Sequence, residues 1–206
     1  MTVAALLAGA LTGCATAAVS RAPVTARLHV GPALAAGRVL VAGFVADRRG
    51  PIDLNTETAR LVRMGLRSRT SLRIIESEPL PLAGAPGDAV FANAAFWKRV
   101  GEEYAEPLIL TGTVAFTSVA PHYEERTAGP RVLRLWRPGF SLAVRLVLIS
   151  GQTGEMIDSA SLRPLTAHAT TGRERALSLY FQAMDRLMPF ILDALRFETS
   201  GRDIDV

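Results

Sequence analysis

The second half of the chain alternates apolar and polar residues with a period of two, a pattern typical of half-buried β-strands. One such segment covers residues 108–117 and another covers residues 140–148. The apolar face of the first consists of Leu108, Leu110, Gly112, Val114 and Phe116, and its opposite face is rich in threonine. The apolar face of the second consists of Phe140, Leu142, Val144, Leu146 and Leu148. Both faces need cover, so the pattern predicts a sheet with helices packed on it.

Two further elements follow these strands. Residues 150–154 contain two glycines and predict a hairpin connection, because glycine readily adopts the positive φ angles of tight turns. Residues 155–163 then return as the partner strand. From about Arg173 to Leu195 the apolar residues recur at helical spacing, and Pro189 is expected to kink this last helix.

The first half alternates strands with helices. Residues 38–46 form a short, nearly continuous apolar run, which is typical of a strand covered on both faces. Helical spacing over 55–69 predicts a helix with Asn55 as its N-cap. Residues 71–76 predict a second strand, and residues 91–104 predict a second helix.

The order of elements predicts an α/β protein consisting of a single sandwich. We expect a mixed sheet of four to five strands in the order β-α-β-α-β-β-β-α, with helices packed on it. The domain is predicted over residues 38–197, with a polar tail over 198–206. Residues 14–37 are rich in small residues and in Pro and Gly, which favours a flexible tether leading into the domain.

Leu11-Thr12-Gly13-Cys14 closes an uncharged, alanine-rich run and contains the only cysteine of the chain. It resembles the bacterial lipobox, where a diacylglycerol joins the cysteine sulfur, the preceding segment is removed and the new amino terminus is acylated. The resemblance predicts a signal peptide over 1–13 and a palmitate-type lipid anchor at Cys14. An uncleaved membrane-spanning helix over Met1–Ser20 is the alternative. No basic residue precedes Arg21, which departs from the usual signal peptide and leaves a start upstream of Met1 open as an alternative.

Ala15 follows the predicted lipid attachment site, where an aspartate is usual for inner-membrane retention. The resemblance therefore implies delivery to the outer membrane, with the domain facing the periplasm. Loss of the thiol to lipid leaves no cysteine for a disulfide, so the fold depends on burial alone. The net charge of +4 is modest. For an exported chain it favours acidic lipid headgroups or anionic envelope polymers over nucleic acid as partners.

Three strings resemble a family of periplasmic domains that includes CsgG, LpoB and the amino-terminal domain of TolB. They cover residues 39–44, 107–114 and 145–157, and the last contains the strand, Thr-Gly-Glu turn, strand element. The resemblance implies an envelope assembly or interaction role without catalysis. The LpoB-like version implies a monomer that reaches a cell-wall synthase, whereas the CsgG-like version implies a ring-forming component of a secretion channel. A channel would need membrane-spanning hairpins beyond the soluble domain, and residues 119–138 are the one insertion available for them. This insertion carries many charges, which argues against a pore formed by the chain itself.

The spacing of reactive residues does not predict an enzyme or a cofactor. His29, His122 and His168 lie far apart in sequence and offer no framework for a zinc site. No nucleophile elbow, dinucleotide fingerprint or phosphate-binding loop occurs. We therefore expect no catalytic residues and no metal, while an envelope enzyme with an unrecognised site stays open as an alternative.

Two basic clusters are candidate contact surfaces for an envelope protein partner. Arg60, Arg63 and Arg67 recur at helical spacing and predict either a solvated face or a docking surface for an acidic partner. Arg131, Arg134 and Trp136 form the other cluster, because tryptophan beside arginine is common at interaction hot spots. The alternative for Trp136 is packing over the end of the sheet. The leading hypothesis is a lipid-anchored interaction module, with homo-oligomerisation as an open alternative.

Overall fold

The computed structural model describes residues 28, 37–46, 52–82, 88–128, 131–169 and 175–195. These residues form six strands and three α-helices, with a short 3-10 helix over Asp88–Val90. In chain order they are β1 (Arg38–Ala46), α1 (Leu54–Arg69), β2 (Arg73–Ile75), α2 (Ala94–Glu103), β3 (Leu108–Ala128), β4 (Arg131–Ser150), β5 (Met156–Ser161), β6 (Leu165–His168) and α3 (Ala176–Ala194).

The strands form one mixed, open sheet in the order β2-β1-β3-β4-β5, which confirms the predicted fold class. β1 runs parallel to β2 and β3, and the remaining pairs are antiparallel. β4 is long enough to pair with two strands along one edge. β5 pairs with Arg145–Ile149, and β6 pairs with Gly139–Leu142. The short strand β6 was not predicted, and it brings the strand count to six among the described residues.

Helices cover both faces of the sheet. α1 and α3 lie on one face, where the apolar residues of β3 and β4 that alternate in sequence join them in the larger core. α2 covers the other face with a smaller core that contains the fully buried Trp97 and Phe91. The period-two pattern of the sequence therefore predicted correctly which side chains share a face.

Asp53, and not the predicted Asn55, is the N-cap of α1. The Asp53 carboxylate accepts hydrogen bonds from the backbone N–H of Thr56 at 3.2 Å and from its hydroxyl at 2.7 Å. Asn55 lies in the first turn and points to the sheet instead. Its Oδ1 accepts from the Phe44 backbone N–H at 2.7 Å, and its Nδ2 donates to the Leu80 carbonyl at 2.8 Å. The side chain thus fixes the end of β1 to the segment after β2.

α3 continues through Pro189 to Ala194, so the proline does not end the helix. Its predicted kink stays a prediction. None of the helices in the described part of the chain is both long enough and apolar enough to cross a membrane. Leu28 falls within the predicted tether, and it is buried with its N–H donating to the Ala194 carbonyl at 2.9 Å. The predicted signal peptide, the predicted polar tail and the rest of the predicted tether, apart from Gly37, lie outside the described residues.

Candidate functional site

β3 and β4 continue past the rest of the sheet as a two-stranded ribbon. β1 stops pairing with β3 at Val114, and β6 pairs with β4 no further than Gly139. Beyond that level, residues 122–128 pair with residues 131–137 in seven consecutive register pairs. We call these two segments the arm. At roughly 3.4 Å per residue, the six steps along one strand give the arm a length of about 20 Å.

An aromatic pair lies on one face of the arm. Tyr123 and Trp136 are register partners, their ring centroids are 5.1 Å apart, and the planes meet at 87°. Despite this contact, 57% of Tyr123 and 56% of Trp136 is exposed. The predicted packing of Trp136 over the end of the sheet is therefore wrong, because the ring lies on the arm and not on the core. Two large aromatic rings stay available to another molecule.

An ion pair continues the same face towards the tip. Glu125 and Arg134 are the register partners two residues beyond the aromatic pair, and Arg134 Nε donates to Glu125 Oε1 at 3.0 Å. Both side chains are exposed, so this contact contributes at most about 1 kcal/mol to stability. It orients both groups, so that the face offers an apolar patch beside one cation and one anion. Such a combination suits recognition of a protein surface.

The base of the arm is attached to the body by contacts with β6. The register of β3 against β4 shifts between Val119 and His122. Past this irregularity the His122 ring lies beside the ring of His168, with centroids 5.8 Å apart. Arg137 Nη1 donates to the Ala169 carbonyl at 3.3 Å, just after β6. These contacts hold the arm where it leaves the sheet.

The arginines predicted as a docking face on α1 have partners inside the chain. Arg60 forms an ion pair with Glu57 at 2.7 Å and lies 5.9 Å from the centroid of the Phe181 ring. Arg67 forms an ion pair with Glu76. Arg63 turns inward, where its Nη2 donates to the Val41 carbonyl at 3.4 Å and burial lowers its pKa. The three side chains therefore differ in role, although they share a helical face.

A groove of about 700 Å³ lies between α1 and α3. Leu61, Met64, Phe181, Met184 and Met188 supply much of its lining, and Arg67, Arg69 and Asp185 are its charged lining residues. Met64 is half exposed at this surface. The lining suits an apolar occupant and has no pair of groups arranged for acid–base chemistry.

The structure thus brings together part of the predicted site. Arg134 and Trp136 lie near each other on the arm, whereas the side chain of Arg131 and all of Cys14 lie outside the described residues. Sequence reasoning missed Tyr123 and Glu125, which become neighbours of Trp136 and Arg134 only through strand pairing. No local pattern of the sequence marks these contacts, because they depend on the register of β3 against β4.

No family model matches the chain, and no curated protein matches it. Among solved structures, the chain is similar to PelC from Paraburkholderia phytofirmans, a dodecamer, with 15% identity, a TM-score of 0.42, and coverage of 85% of this chain and 94% of that one. It is also similar to the lipoprotein GNA1162 from Neisseria meningitidis, with 10% identity, a TM-score of 0.38, and coverage of 74% and 98%.

A third similar structure is a neuraminyllactose-binding hemagglutinin homolog from Helicobacter pylori, with 15% identity, a TM-score of 0.41, and coverage of 82% of both chains. The solved structures that resemble the chain thus include a bacterial lipoprotein. The finer resemblance to CsgG, LpoB and the amino-terminal domain of TolB stays a prediction.

Proposed function

We propose that the chain is a lipid-anchored protein of the outer membrane that binds an envelope protein through its arm and performs no catalysis. The observation that carries this proposal is the exposed pair of Tyr123 and Trp136 on a ribbon that extends past the sheet. The lipobox-like motif ending at Cys14 supports the anchor. Lipid at one end and a contact surface at the other are the two parts that such a module needs.

The energetics of the aromatic pair favour a protein contact. Trp and Tyr are the residues most enriched at interface hot spots, and truncation of one at the centre of an interface costs about 2 kcal/mol or more. In the free chain half of each ring faces water, so a partner that covers the pair removes a large apolar area from solvent. Arg134 and Glu125 then supply polar contacts at the rim.

The arm and the buried residue Leu28 lie at opposite ends of the sheet. α3 runs from the Phe116 end of the sheet, where Tyr180 contacts that ring, towards Ala194, which binds Leu28. The arm continues β3 beyond Phe116 in the other direction. The fourteen steps of the chain from Cys14 to Leu28 span at most about 50 Å. We propose that the lipid holds the body near the membrane while the arm reaches into the periplasm.

A photo-crosslinking experiment in living cells tests this function. A photoreactive phenylalanine analogue replaces Trp136 in one strain and Gln152 in a control strain. Gln152 is exposed in the turn after β4, at the far end of the sheet. We expect a heavier crosslinked species from position 136 that is weakened by Tyr123→Ala. Equal crosslinking from both positions would contradict a specific arm contact.

The mass of the crosslinked species separates two versions of the proposal. A hetero-complex supports the LpoB-like monomer that docks on another envelope protein. Multiples of the mass of the chain itself would instead support the CsgG-like ring. The ring is favoured by one feature, the outer edge of β3 beyond Val114, which pairs with no other strand in the described ranges. Such an edge can accept a strand from a second copy.

A further inference from the structure

Two histidines that are 46 residues apart in sequence meet at the base of the arm. His122 belongs to the first register pair of the arm, and His168 is the last residue of β6. The register partner of His168 on β4 is Gly139, and a Cβ there would lie 2.7 Å from His168 Cδ2. The glycine thus leaves room for the imidazole beside the sheet. The register shift after Val119 brings His122 to the same place.

We propose that His122 and His168 form a binding site for a divalent transition-metal ion of the type that prefers imidazole, such as Zn²⁺ or Cu²⁺. The site stands on these two residues and does not depend on the proposed partner of the arm. Imidazole nitrogen is a good ligand for zinc and copper, whereas magnesium and calcium prefer oxygen. The ion would link the arm directly to the body.

The observed separation is close to what a shared ion needs. With Zn–N bonds of 2.0–2.1 Å, two imidazoles on one tetrahedral ion have ring centroids about 5.2 Å apart. The two rings are 5.8 Å apart in the structure, and their planes are inclined at 63°. Both side chains are exposed, so the two rings have room to reorient around a shared ion.

The number of ligands and the nearby charge determine how tightly the histidine pair binds an ion. Groups of three or more potential metal ligands do not occur in the described residues. Two protein ligands leave positions for water or for a side chain of another molecule, as in open zinc sites. Arg137 is the register partner of His122, and its positive charge weakens binding of a cation. We therefore expect a moderate affinity for Zn²⁺. Two imidazoles bind the ion more tightly than one, whereas Arg137 weakens this binding.

Metal titration of the full chain in detergent tests the site. The parent chain and every variant carry Cys14→Ala, so that the thiol of Cys14 cannot bind the ion. We expect one Zn²⁺ per chain by calorimetry, and binding at least about tenfold weaker in His122→Ala and in His168→Ala, because each loses the chelate. His29→Ala is the matched control and should bind like the parent. Mg²⁺ should give no signal.

A fluorescence measurement locates the ion independently. His122 directly precedes Tyr123 in β3, and the Tyr123 ring contacts Trp136, so Cu²⁺ bound at His122 is near enough in the arm to be expected to quench Trp136. Trp97 belongs to α2, is fully buried and should keep its emission, so Trp136→Phe should remove the quenching. The proposal is overturned if either histidine variant binds Zn²⁺ as tightly as the parent or if His29→Ala loses binding. Unchanged far-UV circular dichroism of each metal-free variant shows that the fold is intact.

Discussion

Replacement of Asn55 by alanine should destabilise the domain far more than loss of an ordinary helix cap. The Asn55 side chain joins the buried Phe44 N–H at 2.7 Å and the Leu80 carbonyl at 2.8 Å. Gly43 allows the Asn55 side chain to approach the backbone of β1 closely, since it has φ +138° and a Cβ there would lie 2.8 Å from Asn55 Oδ1. Asn55→Ala leaves both backbone groups without this partner in a place that water reaches poorly.

The size of the effect follows from those two groups. An unsatisfied buried donor or acceptor costs about 1–3 kcal/mol. Phe44 N–H is the more buried of the two groups, because Phe44 is fully buried. We expect Asn55→Ala to lower the free energy of unfolding by about 2–4 kcal/mol, which is a large part of the stability of a single domain.

Urea unfolding followed by far-UV circular dichroism measures this loss. Asn93→Ala is the matched control, because Asn93 caps α2 by accepting from the Phe96 N–H at 3.1 Å on an exposed surface. Loss of such a cap costs about 1 kcal/mol. If Asn55→Ala costs no more than Asn93→Ala at equal m-value, the bridging argument is refuted.

Three further predictions concern the core, a turn and the anchor. Burial raises the pKa of Tyr180 to about 12. The neutral phenol is therefore favoured by folding, and up to about 2–3 kcal/mol of stability should be present below pH 10 and lost as the pH rises to 12. Tyr180→Phe should flatten that loss in pH-dependent unfolding; equal slopes would contradict it. Gly154→Ala should cost on the order of 3 kcal/mol in urea unfolding, because Gly154 has φ +77° and a Cβ would lie 2.0 Å from the Ala94 carbonyl oxygen, whereas Gln152→Ala should be neutral. Cys14→Ala should leave the domain folded but move the protein out of the membrane fraction, and unchanged membrane binding on fractionation would exclude lipid as the anchor.

The sequence predicted the body of the fold because local patterns decide it. The alternation in 108–117 and 140–148 fixes which side chains enter the larger core, and helical spacing fixes α1 and α3. β6 escaped prediction because it has four residues and a mixed pattern, so that its place depends on pairing with β4. The role of Asn55 escaped prediction for a related reason, since an asparagine near a helix start fits a cap equally well until the position of β1 is known.

The arm could not be predicted from periodicity, because neither of its faces is apolar enough to show one. Tyr123 and Glu125 alternate with charged or polar neighbours, whereas on the other strand Arg134 lies between Leu133 and Leu135, so the two strands show no common apolar face. Pro121 also interrupts the strand pattern. The arm exists because β3 and β4 carry their register beyond the sheet, and this long-range pairing creates the aromatic pair. The pairing of β4 with β6 places His168 beside His122, although these residues are far apart in sequence and their spacing offered no framework for a metal site.

The small contribution that a two-stranded arm is expected to make to global stability is consistent with a binding role. A ribbon of two strands is marginal in water, and each cross-strand pair contributes only about 0.2–1 kcal/mol. The larger core lies between the sheet and α1 and α3, and it includes no residue of the arm. Removal of the Trp136 ring should therefore leave global unfolding unchanged while it abolishes a contact that the ring makes with a partner. A change that separates binding from stability in this way is expected of an interaction surface, whereas a ring that served the core would lower both together.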